Sequence, residues 1–590
     1  MNRRHMWSGR RPKVAIAVVI ATVLTILVIP NAVAGASGTV PFSGNDAATG
    51  TRTVTIADIT DFHGHIERGA DNAAAFTLAD SHNPGNMVPV STGDLVGGSP
   101  YESAVAKDQP TLDMAKSWGL TISAVGNHEF DRSVADFNNR IASPANGIDW
   151  LCANISAENK ASGGRLSRVK DYTIREVNGK RIGFVGALTD ALGSVATPQI
   201  TKDADLDKRA VDAVNQVAHN LKQSGKVDAV VALIHADATA AQGLGKDVDV
   251  AYTGHTHALK YGTTDGGAPI YEAGSFGRAM AVQDLVISGY GRRAKVTVEN
   301  VDLGNGTEQA SPKVPGVIRV EGLDAHTTQS AWMSAGSTGD GMVDHAQHVY
   351  TVAQAHAEQV GSTIIGTLAN GTNFDKRIEH GHEDSVGQLV ADANRAMIQR
   401  KIYAGQRLPV IGFSNDGSLR TGQLDLNGDG KVSVKEVDSL MALQFKAAHE
   451  TLTGKDVKDV LAEQFRFKDD QLKRRWIGIS SNVGYRFVER DSNEAEGAGH
   501  PADTDFDADN DDSAVAIVDL TIDGKPIADD DLVIVASNSY LLQGGDDYHA
   551  FRTGTNYGEL NMPYSEPLKQ YLAAHPALAP KKTPLTGVHA

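Results

Sequence analysis

Seven residues of metal-ligating type recur in short clusters along the first half of the chain. They are Asp61 and His63 in D-F-H-G, Asp94 after a glycine, Asn127 in G-N-H-E, His235 in L-I-H-A-D, and His255 and His257 in G-H-T-H. Imidazole and carboxylate donors together suit zinc, manganese, iron or cobalt better than calcium. Seven donors exceed what one tetrahedral ion needs. Two divalent transition metal ions roughly 3.5–4 Å apart would use them all, with Asp94 as a bridging carboxylate. Such a pair clamps a phosphoryl oxygen and lowers the pKa of a shared water. Glycines beside the donors (Gly64, Gly93, Gly126, Gly254) let backbone and substrate come close. One D-x-H or N-H-E arises easily by chance in 590 residues; five clusters in order, each after an apolar run, do not.

Those apolar runs are the elements that must position the donors. T-R-T-V-T-I-A-D-I alternates with period two and predicts a strand from Thr51. M-V-P-V-S-T-G-D-L, L-T-I-S-A-V-G-N-H and D-A-V-V-A-L-I-H-A-D predict short buried strands, and R-A-V-D-A-V-N-Q-V-A-H-N-L-K-Q-S-G a helix. This is an α/β pattern. Ligands of such folds gather at the carboxyl ends of strands, so one rim serves all seven donors. The first unit spans 51–304. Residues 305–361 read as a Gly/Ser/Thr-rich linker and then a bridging helix with Val349, Val352 and Ala353 on one face. A second α/β unit spans 362–575, and 576–590 form a tail. Inside the second unit the acidic, apolar-poor run 489–513 reads as a solvated loop.

At 590 residues, 41% hydrophobic and 22% charged, the chain can bury large cores in more than one domain. Its net charge of −17 repels a polyanion, which excludes a nucleic acid polymer as partner. A small nucleotide stays compatible if cations line the site. Residues 1–34 read as a signal peptide: Arg10, Arg11 and Lys13 precede the apolar run Val14–Ile29, and Ala32-Val33-Ala34 offers a cleavage site. The apolar run falls just short of a membrane span. Residues 35–50 read as a disordered leader. The expectation is a secreted protein, extracellular or wall-associated, with no membrane contact after cleavage. Cys152 is the sole cysteine, so packing and metals rather than an intrachain disulfide must hold the fold.

The ordered set D-F-H-G, G-D, G-N-H-E-F-D, H-A-D and G-H-T-H resembles the calcineurin-like metallophosphoesterase signature. G-N-H-E-F-D followed by a distinct C-terminal unit resembles the bacterial 5'-nucleotidase family, over about residues 51–575. The resemblance implies a four-layer α/β/β/α metallophosphoesterase domain and a second α/β nucleotide-binding domain. It implies that Asp61, His63, Asp94 and His257 hold one ion, and Asp94, Asn127, His235 and His255 the other. It further implies that His128, oriented by Asp131, stabilises transition-state charge; a histidine held by a carboxylate is kept protonated and aimed. In the second unit F-S-N-D-G-S-L-R-T-G is similar to the family's N-x-G-x-(I/L)-R element, which points to Asn415, Gly417 and Arg420. Arg420 would face a phosphate or carboxylate. N-S-Y-L-L-Q-G-G-D-D-Y implies Tyr540 as a base-stacking aromatic and Asp546 as a ribose-binding acid, and Phe445 would be the second stacking ring. The family carries arginines before an E-(S/T)-x-(L/M)-G-N element; here Arg377 stands there, with His380 and His382 nearer. That departure leaves open a nucleoside 5'-monophosphate, a 2',3'-cyclic nucleotide or a nucleotide sugar as the substrate.

A separate signal lies in D-L-N-G-D-G-K-V-S-V-K-E, residues 425–436, which satisfies D-x-(D/N)-x-(D/N)-G-x5-E in full. Asp425, Asn427, Asp429, Ser433 and Glu436 occupy the side-chain ligand places of a calcium loop, and Lys431 would add its backbone carbonyl. The expected role is a structural calcium pinning the segment between Arg420 and Phe445. A non-enzymatic alternative, a calcium-stiffened surface binding protein with a decayed site, is opposed by the complete ligand set.

Overall fold

The structure, a computed structural model, describes residues 50–303, 308–323, 325, 341–376, 384–401, 407–468, 471–489, 514–580 and 587–589. The expected signal peptide and leader up to residue 49 lie outside these residues, as do Arg377, His380, His382 and the acidic run from 490 to 513. No helix among the described residues is long and apolar enough to cross a membrane.

The described residues of the first half build thirteen strands: β1 (Arg52–Ile59), β2 (Met87–Ser91), β3 (Ile122–Ala124), β4 (Asp149–Leu151), β5 (Tyr172–Val177), β6 (Lys180–Leu188), β7 (Ala229–His235), β8 (Val250–Thr253), β9 (Leu259–Thr263), β10 (Pro269–Ala273), β11 (Ala279–Ser288), β12 (Lys295–Asn300) and β13 (Val317–Arg319). They form two sheets, ordered β12-β11-β1-β2-β3-β4 with β13 on β11, and β5-β6-β7-β8-β10-β9. Val54, Ile56, Val90 and Ile122 of one sheet share a buried core with Phe184, Val231, Leu233 and Tyr252 of the other. Outside, Phe76 and Met114 carry two helices onto the first sheet, and a third helix packs on these through Ala346. Val214 and Leu221 of Ala210–Ser224 cover the second. The result is the expected α/β/β/α sandwich.

Two local readings change in the tertiary setting. Alternation like that of β1 usually marks a half-wet strand, but here Val54 to Ile59 are buried throughout. Its inward polar groups are bonded: Thr55 Oγ1 donates to Asp284 (2.6 Å) and Thr92 Oγ1 to Asp58 (2.7 Å). The stretch read as a linker contributes β13 to the first sheet. The bridging helix, Met342–Gly361, packs through Val343, Ala346 and Ala353. Val352 does not share that face, being 55% exposed, because one residue of offset turns a side chain about 100° round a helix.

The second half centres on a five-stranded sheet. Its strands are Ile477–Ile479, Val410–Asn415, Leu532–Asn538, Lys446–Thr453 and Thr555–Pro563, in that spatial order. Val410–Asn415 runs parallel to Leu532–Asn538, so Asn415 and Asn538 end on one rim. There Asn538 Nδ2 donates to Asn415 Oδ1 at 2.9 Å.

Candidate metal centre

The parallel runs of both sheets end at one edge, and the seven donors meet there. Asp61, Asp94 and Asn127 follow β1, β2 and β3; His235 closes β7; His255 and His257 follow β8. Ligand atoms of Asp61, His63 and His257 lie within 4.8 Å of one another, as do those of Asp94, His235 and His255. Asp94 also groups with His63 and His128, so it stands between the two triads, as a bridging carboxylate must. Asn127 joins the second triad, its Oδ1 3.2 Å from His235 Nε2.

The tautomers leave this arrangement in need of positive charge, from metal ions or from protons. His63 Nδ1 donates to the Gly97 carbonyl (2.8 Å) and His235 Nδ1 to the Thr92 carbonyl (2.9 Å). In a neutral ring that leaves Nε2 as a lone pair. His63 Nε2 points at His257 Nε2 across 3.2 Å, and His235 Nε2 at Asp94 Oδ2 (3.0 Å) and Asn127 Oδ1. Acceptors converging on acceptors repel unless a cation or a proton sits among them, and backbone carbonyls behind ligating histidines are the usual support. Burial opposes a charge on His235, yet Asp94 and Asp61 outweigh it and lift its pKa to about 10. Burial, helped by the neighbouring charges of His128 and His257, prevails at His63, which falls to about 3. Asp94 is held well below the usual carboxylate range: burial opposes its charge, but His235 and His128 overcome that. The donor set fits a pair of divalent ions.

Backbone strain marks the same place. Asp61, His63, Asp94, His255 and His257 all have left-handed φ, between 47° and 75°. Such conformations cost of order 1–3 kcal/mol each and persist where surroundings over-determine them. Glycine is required beside them: a Cβ on Gly126 would stand 2.1 Å from Asp94 Oδ1, and one on Gly254 2.7 Å from Asp61 Oδ2.

His128 lies over this centre. Its Nδ1 is 2.9 Å from Asp131 Oδ1, and its backbone N–H donates to Asp94 Oδ1 at 2.9 Å. Burial disfavours its charge, but Asp131 and Asp94 prevail and raise its pKa to about 9. Arg420 arrives from the second domain: a Cβ on Gly98 would be 3.2 Å from its guanidinium, 3.4 Å from His63 Nδ1 and 3.8 Å from His128 Cε1.

Other expected substrate residues gather on the second domain's rim. Asn415 Nδ2 donates to Asp546 Oδ2 (2.7 Å), and Gly417 abuts the same carboxylate. The Tyr540 hydroxyl lies 3.0 Å from Asp546 Oδ1 and 3.1 Å from the Ser194 carbonyl of the first domain. Phe445 and Tyr540 do come together, but as a direct stack, centroids 5.0 Å apart and planes 10° from parallel. A base between them would need roughly twice one stacking distance, so the expected sandwich is closed on itself. A crevice of only about 10 Å³ separates His128 and Asp131 from Ala442 and Gln444 of the second domain.

Residues without an assigned role also contribute. Glu129 accepts N–H bonds from Asp94, Leu95, Val96 and Gly126, tying the β2 and β3 loops together, while burial pushes its carboxyl up to about 8. The motif contained it, with no hint of its task. Phe276, at φ 60°, sets its ring 5.7 Å from that of His63 and 5.0 Å from that of His257. No local pattern marks it.

The calcium-type loop is folded, and its acids are occupied. Asp425 accepts N–H bonds from Asn427, Gly428 and Gly430, and Lys431 N–H donates to Asp429. Glu436 accepts from Leu426, Asn427 and Ser433, with Ser433 closing a capping box onto the following helix. Among the described residues, the clusters of three or more acidic or histidine donors all lie at the first centre.

The family model described as the 5'-nucleotidase C-terminal domain matches residues 364–553. Cell wall protein Lmo0130 of Listeria monocytogenes is 23% identical over 572 residues, covering 87% of this chain and 66% of that protein. Trifunctional nucleotide phosphoesterase protein YfkN of Bacillus subtilis is 22% identical over 550 residues, covering 86% of this chain and 33% of that one. The chain thus spans from a third to just under two thirds of these relatives' length. A solved putative 5'-nucleotidase of Staphylococcus aureus shares the fold over 90% of this chain and 99% of its own, with a TM-score of 0.61 and 14% identity. Residues 364–553 belong to the 5'-nucleotidase C-terminal domain family, and that domain carries Arg420 to the candidate metal ligands of the first domain.

Proposed function

We propose that this chain is an exported dinuclear-metal phosphohydrolase that releases phosphate from nucleoside 5'-monophosphates. One observation carries the reading: two sets of acceptors converge on each other with Asp94 between them. When bound, the two ions supply Lewis acidity and a water of lowered pKa. Asp61, His63 and His257 would hold one, Asn127, His235 and His255 the other, and Asp94 both. The chain's own groups do the rest. His128, kept protonated by Asp131, aims a charged N–H at the oxygen where charge develops. Arg420 offers a second cation from the opposite wall. Tyr540, Phe445, Asn415, Gly417 and Asp546 would hold the nucleoside, which requires the stacked rings and the narrow crevice to open. Relatives named nucleotide phosphoesterase and cell wall protein support the substrate class and export, as does the basic-apolar leader. Residues 425–436 would take a structural calcium.

The test is phosphate release from 5'-AMP, UDP-glucose and 2',3'-cyclic AMP, with manganese, zinc and cobalt supplied in turn. The monophosphate should turn over fastest. Preference for either other substrate reassigns the specificity, and no release with any metal removes the enzymatic reading.

A further inference from the structure

The segment joining β8 to β9 serves both halves of the centre. His255 groups with Asp94 and His235, and His257 with Asp61 and His63. Thr256 is the midpoint between them. Both flanking histidines are left-handed, at φ 75° and 57°, so the segment needs an outside hold to keep that shape. The hold is on β10. Thr256 Oγ1 donates to Glu272 Oε1 at 2.5 Å, and the Ala258 N–H donates to the same oxygen at 3.1 Å. Glu272 is fully buried and sits between β8 and β9, opposite Thr253 and Lys260. Its other oxygen has no hydrogen-bond partner among the described residues, so its hydrogen bonding is spent on this loop. A buried carboxyl with one idle oxygen is costly, which sets it apart from an ordinary loop brace.

We infer that Thr256 and Glu272 are positioning residues: their hydrogen bond sets His255 and His257 apart and thereby the spacing of the two ion positions. The inference rests on the dinuclear reading above. Thr256 is exposed enough for substitution without disturbing the core. Thr256→Val keeps the shape and removes the hydroxyl; Thr256→Ser keeps the hydroxyl. The protein is loaded with manganese. Affinity is read by chelator competition, stoichiometry by elemental analysis and ion–ion spacing by the exchange-coupled EPR signal, with the melting temperature of the metal-free protein as a control. Thr256→Val should bind manganese about tenfold or more weakly and lose the coupled signal, the size of effect that outer supports of metal ligands have. Its metal-free melting temperature should match wild type, and Thr256→Ser should behave as wild type. Glu272→Gln retains one acceptor oxygen and should fall between the two. A Thr256→Val protein with wild-type affinity and coupling overturns the inference, and so does a Thr256→Ser protein as impaired as Thr256→Val. Failure of the wild type to bind two ions sinks the dinuclear reading instead, and the inference with it.

Discussion

The candidate metal centre and the loop of residues 425–436 are both built from residues that satisfied a ligand pattern, yet their donors face different things. At the centre, His63, His257, His235, Asn127 and Asp94 point acceptors at one another. In the loop, Asp425 and Glu436 already receive backbone N–H groups. The centre is incomplete without positive charge, while the loop is a finished turn that an ion can only tighten. Ligand-type residues alone do not separate these cases; what lies opposite each oxygen does. Glu450 of the second domain is a third case, a carboxyl 2% exposed with one oxygen that meets no donor among the described residues.

The contrast can be broken hardest at Asp94. Asp94→Ala removes the group common to both triads and should lower kcat/KM by more than about 10³-fold, since Lewis acidity and water activation go together. Metal content should fall in the same protein. Two ions retained with normal turnover would mean that the convergent acceptors are not a metal site. His128→Asn comes next. It should keep both ions and lower kcat by about 100-fold, the usual contribution of a proton-bearing group in the transition state. Undiminished turnover of 5'-AMP takes His128 out of the chemistry.

The loop should respond through stability alone. Calcium at a hundred times its dissociation constant adds about 2.7 kcal/mol to a folded state that binds it. After chelation and refill, the melting temperature should rise with calcium in the wild type and stay level in Glu436→Gln, with phosphate release intact in both. A wild type indifferent to calcium leaves the loop as a hydrogen-bonded turn. The last contrast concerns Glu450, which acts on stability alone. Burial raises its pKa from 4.5 to about 9 in the folded protein. The unfolded chain loses this proton first, so stability from this group is greatest below pH 4.5 and declines as pH rises toward 9. Glu450→Gln should flatten that slope between pH 5 and 9, measured by urea midpoints. An unchanged slope means the carboxyl finds a partner.

The primary structure alone determined the donors and the rim they share. Asp61, Asp94, Asn127, His235 and His255 each follow a short apolar run, and the strand period and the strand-end rule act over a few residues. Contacts between distant segments were decided only by the tertiary structure. Glu272 grips Thr256 from another strand, Glu129 joins loops 34 residues apart, and Arg420 crosses from the second domain to Gly98. The same holds for the direct stack of Phe445 on Tyr540, for the strand Val317–Arg319 inside a supposed linker, and for Val352 turning to solvent. The physical reason is range. Hydrophobic period and turn chemistry are local and leave a mark on neighbouring residues. A hydrogen bond across a sheet or between domains needs only one suitable atom at each end, and one residue in isolation carries no pattern to read.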